Sequence, residues 1–419
     1  MRAACFIIVG VLAGTGVCRA VELKLPDKIR PVMAMVDAAP PEFGAAALER
    51  LLDSNVIDDP PTRRALIERA FQLGGMAHDR WRVRALPGAG ANAVMRARAS
   101  ELQLDQISLQ THAVRLMLAV DKDRARDLFI GIPRPGPDPN TCDDWETPDP
   151  GDFYSTFAQV MNATVTPETA HDTDIRLVSD YLGAITSPFQ FQPALHMVQG
   201  LNVKASQKHT LLVQLGSAMA AVPADDRSFS AISTAMASDL PGELQPSFQR
   251  FVASHATAIP CKSTPAPDPG WEQLDLEKRI ARDEIKLMSP RGGLVSRADR
   301  ATGEWQRSLS DFLFELDGWQ QGSSESDASF YHRKMFAYEG LLDVTSGPQR
   351  AELIDDMVRF ALDSPLLRDA PAEWFLELRK ADERLRGGSE RGPDLLRGFE
   401  RSGHPALVLS ATLDRLLTK

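Results

Sequence analysis

Apolar residues recur along this chain at the spacing of a helix rather than of a strand. Residues 348–364 carry five of them at three- and four-residue intervals: Leu353, Ile354, Met357, Val358 and Ala361. This spacing places the apolar side chains on one face of an α-helix that packs against a core. Runs of alternating β-branched residues are nearly absent, and residues 80–88 (RWRVRALPG) are the one short strand candidate. The pattern predicts an all-α fold.

Residues 59–75 carry the clearest helix start and stop signals. Asp59 precedes Pro60 and Pro61, and Gly74 and Gly75 follow the apolar stripe. An aspartate side chain caps the first amides of a helix, and proline fits the first turn. A glycine after the last turn accepts the left-handed conformation. We therefore expect a helix between these signals, with a left-handed glycine at its end.

Short turns rich in Pro, Gly and Asp separate the predicted helices. Short connections are typical of neighbouring helices that pack as antiparallel hairpins. The spacing of the helix starts drifts along the chain, so no regular repeat is predicted. We expect an irregular stack of antiparallel helical hairpins, either an αα-superhelix or a multi-helix bundle, with little or no β-structure.

Two proline-rich stretches interrupt the helical pattern. Residues 133–149 form an acidic loop and residues 261–270 form a second loop, because proline cannot continue a helix. The two loops separate an N-terminal helical block (21–132), a middle block (150–260) and a C-terminal block (271–419).

The first 20 residues have the layout of a secretory signal peptide. Arg2 precedes an uncharged apolar run, and small residues end the segment before Val21. The mature protein is therefore expected to start near Val21 and to be secreted or periplasmic. Acylation at Cys18 is the alternative, although Val17 before it is larger than the residue usual there. No later segment is long and apolar enough to predict a membrane span.

The charge balance is acidic. The 419 residues include 47 Lys and Arg against 57 Asp and Glu, a formal net charge of −10, and aromatic residues make up only 7%. An acidic chain has no general attraction to nucleic acid or anionic lipid. We expect no nucleic-acid partner, and the oligomeric state stays open.

Cys142 and Cys261 are the two cysteines outside the predicted signal peptide, and each lies in or beside a proline-rich loop. In an exported chain, two such cysteines predict a structural disulfide. A free catalytic thiol and an intermolecular bridge are the alternatives. The acidic residues that follow Cys142 disfavour the thiolate that a catalytic role requires.

Two sets of residues are candidate metal ligands. The first is an acidic run that could bind Ca²⁺, which takes six to eight oxygen ligands: Asp143, Asp144, Glu146, Asp149 and Asp152. The favoured alternative is a solvated loop in which Asp152 caps the following helix. The second set is His171, Asp172 and Asp174, a mixture that transition metals accept. Its favoured alternative is the exposed start of a helix.

Sequence motifs of known catalytic sites are missing. The chain has no His-Glu-x-x-His, Cys-x-x-Cys, Gly-x-Ser-x-Gly or phosphate-binding loop. We assign no catalytic residue and expect no cofactor. The favoured hypothesis is a non-enzymatic, exported scaffold or binding protein that engages a peptide or protein partner. The alternative is an exported hydrolase whose carboxylate or metal site is assembled from separate helices.

Overall fold

The fold class is all-α, as predicted. In a computed structural model the chain is described at residues 24–79, 81–85, 97–135, 146–222, 240–255, 287–288, 294–295, 314, 316, 318–323, 327–342, 345, 347–364, 375–376, 378–379 and 392–417. The helices with assigned bounds are α1 Arg30–Ala38, α2 Pro41–Asp53, α3 Pro60–Gly74, α4 Gln106–Leu118, α5 Lys122–Ile130, α6 Gly151–Thr164, α7 Asp172–Gly183, α8 Phe191–Gly200, α9 Ala205–Ala221, α10 Gln245–His255, α11 Asp327–Leu342, α12 Gly347–Asp363, α13 Gly392–Ser402 and α14 Pro405–Leu417. A short 3₁₀ turn at Pro188–Gln190 precedes α8.

Helix α3 confirms the predicted start and corrects the predicted end. The Asp59 carboxylate accepts a hydrogen bond from the Thr62 amide at 3.0 Å, which caps the first turn. Gly75 at the other end has φ −66°, so it is not left-handed. The glycines instead permit close packing on α4, because a Cβ on Gly74 would lie 2.9 Å from the Leu109 Cβ. Among the described residues, left-handed glycines stand after α13, where Gly403 has φ +68°, and at the start of α12, where Gly347 has φ +62°.

The apolar stripe predicted in residues 348–364 is the buried face of α12. All five of its apolar residues are buried, and Ile354 and Met357 are fully shielded from solvent. The hydrophobic pattern of this helix therefore predicted both its type and the face that packs.

Two short β-ladders accompany the helices. Strand β1 (Val83–Ala85) lies within the single strand candidate of the sequence and pairs antiparallel with β2 (Glu146–Pro148). Strands β3 (Leu287–Met288) and β4 (Leu294–Val295) form the other pair. The ladder between β1 and β2 joins the chain before α4 to residues 146–148, which precede α6.

Consecutive helices pack on one another along most of the chain. Contacts join α1 to α2, α2 to α3, α4 to α5 and α5 to α6, and likewise α8 to α9 and α9 to α10. Between these runs, α6 packs on α8 and α7 packs on α9. The last helix departs from this order, because α14 packs on α13 and also on α1 and α2. The C-terminal end of the chain is thereby joined to its N-terminal helices.

Two apolar clusters form the core. One runs from Ile29 to Phe251 and includes Leu409 and Leu413 of α14. The other contains the buried faces of α11 to α14, together with Phe43 of α2. Helices α2 and α14 therefore lie where the clusters meet. The first cluster draws residues from both the 21–132 and the 150–260 block, and the division into blocks stays a prediction.

The predicted signal peptide (1–20) lies outside the described residues, so export stays a prediction. Within the part of the chain that the structure describes, none of the helices combines the length and the apolar character that crossing a bilayer would require.

Candidate functional site

A cleft of about 410 Å³ opens where helices α2 and α14 meet. Its walls come from four parts of the chain: α2, the turn before α4, the helical residues around 375–379, and α14. The lining residues are Phe43, Ala46, Ala47, Arg50, Leu102, Leu104, Phe375, Arg379, Ala406, Leu409, Ser410 and Leu413. This volume lies within the range of about 300–1,000 Å³ that is typical of ligand sites.

Helical periodicity builds the two long walls. The α2 residues of the cleft are 43, 46, 47 and 50, and the α14 residues are 406, 409, 410 and 413, so each set follows the same i, i+3, i+4, i+7 spacing. Residues at that spacing share one face of a helix. Small side chains at Ala46, Ala47, Ala406 and Ser410 leave the space between the two faces unfilled.

Two aromatic rings form the wall away from the charged groups. The rings of Phe43 and Phe375 lie 5.0 Å apart between centroids, with planes inclined at 56°. Pairs at this separation are attractive beyond the area that they bury. The contact ties α2 to the C-terminal region and gives the cleft an aromatic end.

The opposite end of the cleft holds one carboxylate between two guanidinium groups, which we call the Arg50–Asp414–Arg379 corner. The Arg50 Nη1 lies 2.7 Å from one Asp414 oxygen, and the Arg379 Nη1 donates to the other at 3.0 Å. The Asp414 side chain is 8% exposed, against 43% for Arg50 and 32% for Arg379. Among the side chains that the structure describes, the corner holds two cations against one carboxylate, and both cations reach solvent.

A second charged cluster lies on a neighbouring face of α2, which we call the His112–Glu49–Asp53 cluster. The His112 Nδ1 lies 3.1 Å from a Glu49 oxygen, and its Nε2 lies 3.2 Å from an Asp53 oxygen. Contact of both ring nitrogens with carboxylates fits a protonated imidazole, in which both nitrogens are donors. None of the three residues is among those that line the cleft.

Burial gives Glu49 an unusual pKa. Its side chain is 5% exposed, and burial raises the pKa of its carboxyl to about 7, although the hydrogen bond and charge of His112 act in the opposite direction. Burial disfavours the charged form of His112, but Glu49 outweighs this and holds the pKa of His112 above its usual value. The pKa of Glu49 is therefore raised by burial, whereas the pKa of His112 is raised, despite burial, by its contact with Glu49.

The predicted calcium ligands that the structure describes are paired with arginines. Arg84 donates to both oxygens of Asp149, at 2.6 and 2.8 Å, and Arg82 donates to Asp152 at 2.6 Å. Asp152 is in the first turn of α6 and does not cap it, which corrects that expectation. Glu146 is described in its backbone alone, as part of β2, whereas Asp143 and Asp144 lie outside the described residues. Calcium binding by this set stays a prediction.

The second predicted metal set lies at the start of a helix, as its alternative interpretation expected. Helix α7 begins at Asp172, and the Asp174 carboxylate accepts hydrogen bonds from the His171 amide at 3.0 Å and from Arg126 at 2.7 Å. Despite partial burial, these contacts hold the pKa of Asp174 below its usual value. Among the residues described, no group of three or more His, Cys, Asp or Glu side chains is arranged to hold a metal ion. Metal binding by His171, Asp172 and Asp174 stays a prediction.

Both cysteines of the predicted disulfide, Cys142 and Cys261, lie outside the described residues. Their pairing stays a prediction.

The residues of the cleft corner were not found by sequence reasoning. Arg50, Arg379 and Asp414 are far apart in the chain, and none of them belongs to a recognisable motif. Glu49 did leave a signal, because Ala45 and Leu52 lie one helical turn to either side of it on the same face of α2, where a charged residue is unusual.

Comparisons of this chain with protein-family models, with curated proteins and with solved structures found no match.

Proposed function

We propose that this chain is an exported, non-enzymatic binding protein whose cleft receives an apolar segment of a peptide or protein partner. The observation that carries the proposal is the cleft of about 410 Å³, lined mainly by apolar side chains from four parts of the chain. Ala46, Leu102 and Phe375 of its walls are half-buried, so their solvent-facing parts lack the packing contacts and the hydrophobic stabilisation of a filled interior. A partner's apolar side chains would restore both.

Two sequence features support the rest of the proposal. The layout of residues 1–20 supports export, and the net charge of −10 favours a protein or peptide partner over nucleic acid. Irregular helical stacks offer extended surfaces to such partners.

A hydrolase is the second candidate, and the His112–Glu49–Asp53 cluster is the observation that favours it. A carboxyl with a pKa of about 7 beside a histidine suits general acid–base work. The cluster does not line the cleft, however, and Glu49 is buried. A ligand held in the cleft would therefore meet an apolar surface and a guanidinium pair rather than the acid–base pair, which favours binding over turnover.

The test is selection from a combinatorial peptide library with the purified protein and two variants. Ser410→Phe fills the cleft, and Ser217→Phe places the same side chain on the exposed face of α9 as a matched control. Circular dichroism first establishes that both variants are folded.

We expect the protein and Ser217→Phe to select the same apolar peptides, and Ser410→Phe to lose them. Mass spectrometry of the selected peptides after incubation should show them intact. An unchanged selection by Ser410→Phe would contradict the proposed site, and cleaved peptides would favour the hydrolase.

A further inference from the structure

We propose that the partner segment carries a carboxylate, which Arg50 and Arg379 bind at the polar corner of the cleft. This inference rests on the proposed function, because it names the chemistry of the ligand for the same site. Its ligand class is a short apolar peptide with a carboxylate close to its apolar side chains.

The charge of the corner is the first argument. Two guanidinium groups share the single Asp414 carboxylate, each through one terminal nitrogen. A guanidinium has five N–H donors in a planar fork that matches a carboxylate. One further carboxylate would balance the surplus charge, whereas a phosphate dianion would exceed it.

The exposure of the corner is the second argument. Asp414 is almost buried, whereas Arg50 and Arg379 are 43% and 32% exposed. A ligand can therefore approach the two cations from solvent without displacing a packed side chain. Since the cations line the same cleft as the apolar walls, one ligand can contact both.

The distance along the helices sets the length of the ligand. Arg379 follows Phe375 by one helical turn, and Arg50 follows Phe43 by two turns, so the backbone positions of each arginine and its phenylalanine are about 6–10 Å apart along the helix. An extended peptide covers that distance in about two or three residues. The carboxylate is therefore expected within two or three residues of the apolar anchor.

Two sources can supply such a carboxylate, namely the C-terminus of the peptide or an acidic side chain. Three synthetic peptides with an uncharged N-terminal fluorophore distinguish them. The first ends in Gly-Ser-Phe-Leu with a free carboxylate, the second is its amide, and the third is the amide extended by one glutamate. Fluorescence anisotropy measures the affinity of each peptide for the full chain.

We expect at least one of the two acidic peptides to bind about tenfold tighter than the neutral amide, the value of one charge-assisted hydrogen bond. Salt should weaken the binding of the acidic peptide and leave that of the amide unchanged. Arg50→Gln and Arg379→Gln should each reduce the difference between acid and amide. Arg415→Gln is the matched control, because Arg415 pairs with Glu400 and does not line the cleft.

The failures of the two proposals are distinguishable. Equal, salt-independent binding of acid and amide would overturn the carboxylate inference and leave the apolar cleft intact as a site. Failure of all three peptides to bind at millimolar concentration would overturn the proposed function as well. The acid and amide peptides are also compared on the unaltered protein. The inference can therefore be tested even if an arginine variant does not fold.

Discussion

Glu49 and Arg50 are neighbours in the sequence of α2, yet they lie in opposite electrostatic settings. Glu49 faces α4, where burial leaves its carboxylate dependent on one histidine. Arg50 faces α14 and the cleft, where it is half exposed and shares its carboxylate partner with Arg379. One step along a helix turns the side chain by about 100° and so moves it from core to cleft. Burial, rather than charge alone, decides that the pKa of Glu49 is shifted and that Arg50 is accessible to a partner.

Inverting the charge at position 49 and at position 50 should give the largest difference in stability between the two sites. Glu49→Lys buries an ammonium beside His112 and Arg115 and leaves the cluster only the half-exposed carboxylate of Asp53, so we expect a loss of about 3–5 kcal/mol in the free energy of unfolding. Arg50→Glu changes a half-exposed group, and we expect a loss of only about 1 kcal/mol. Urea unfolding at pH 7 measures both variants. Losses of equal size would contradict the assignment of Glu49 to the core.

The next largest effect is expected in the pH dependence of stability. The pKa values of Glu49 and His112 are both raised in the folded state, so the folded protein binds more protons than the unfolded chain. Stability should therefore fall as the pH rises from about 4.5 towards and beyond 7, by about 3 kcal/mol from Glu49.

Urea unfolding at several pH values from 4.5 to 8 checks this prediction. The difference between the protein and Glu49→Gln isolates the contribution of the pair. Asp37→Asn, which removes a more exposed carboxylate, is the control and should leave the slope unchanged. If Glu49→Gln leaves the change of unfolding free energy with pH unaltered, another group controls the pH dependence of stability.

The smallest effect is expected at the cleft corner. A double-mutant cycle with Arg50→Gln and Asp414→Asn should give a coupling energy of about 1 kcal/mol, because Arg50 is exposed enough for solvent to screen the pair. The coupling should shrink at high salt. A coupling of several kcal/mol, insensitive to salt, would mean that the corner is a structural ion pair and not one that can exchange its partner.

Local patterns were sufficient to predict the helices. The apolar stripe of α12 and the capping signals of α3 each rest on residues within a few positions of one another, and both appear in the structure. The end of α3 was predicted wrongly, because the glycines there serve the close approach of α4, which lies more than thirty residues further along the chain. Helix type is encoded locally, whereas the reason for a glycine can be a distant contact.

The candidate site could not be predicted in the same way. The cleft depends on α14 returning to α1 and α2, a contact between the two ends of the chain that no spacing encodes. Arg379 lies in a charged stretch without a recognisable motif, yet it pairs with Asp414 of α14. For Glu49, in contrast, the apolar neighbours in α2 indicate burial from the sequence.

Hydrogen exchange of the full chain, with and without a library-selected peptide, tests whether the cleft between α2 and α14 is the binding site. Binding in the cleft should slow exchange in α2 and α14 and leave α9, which does not line the cleft, unchanged. That pattern is the result we predict. Saturating peptide that protects α9 instead, or leaves α2 and α14 unchanged, would contradict the assignment of the cleft as the binding site.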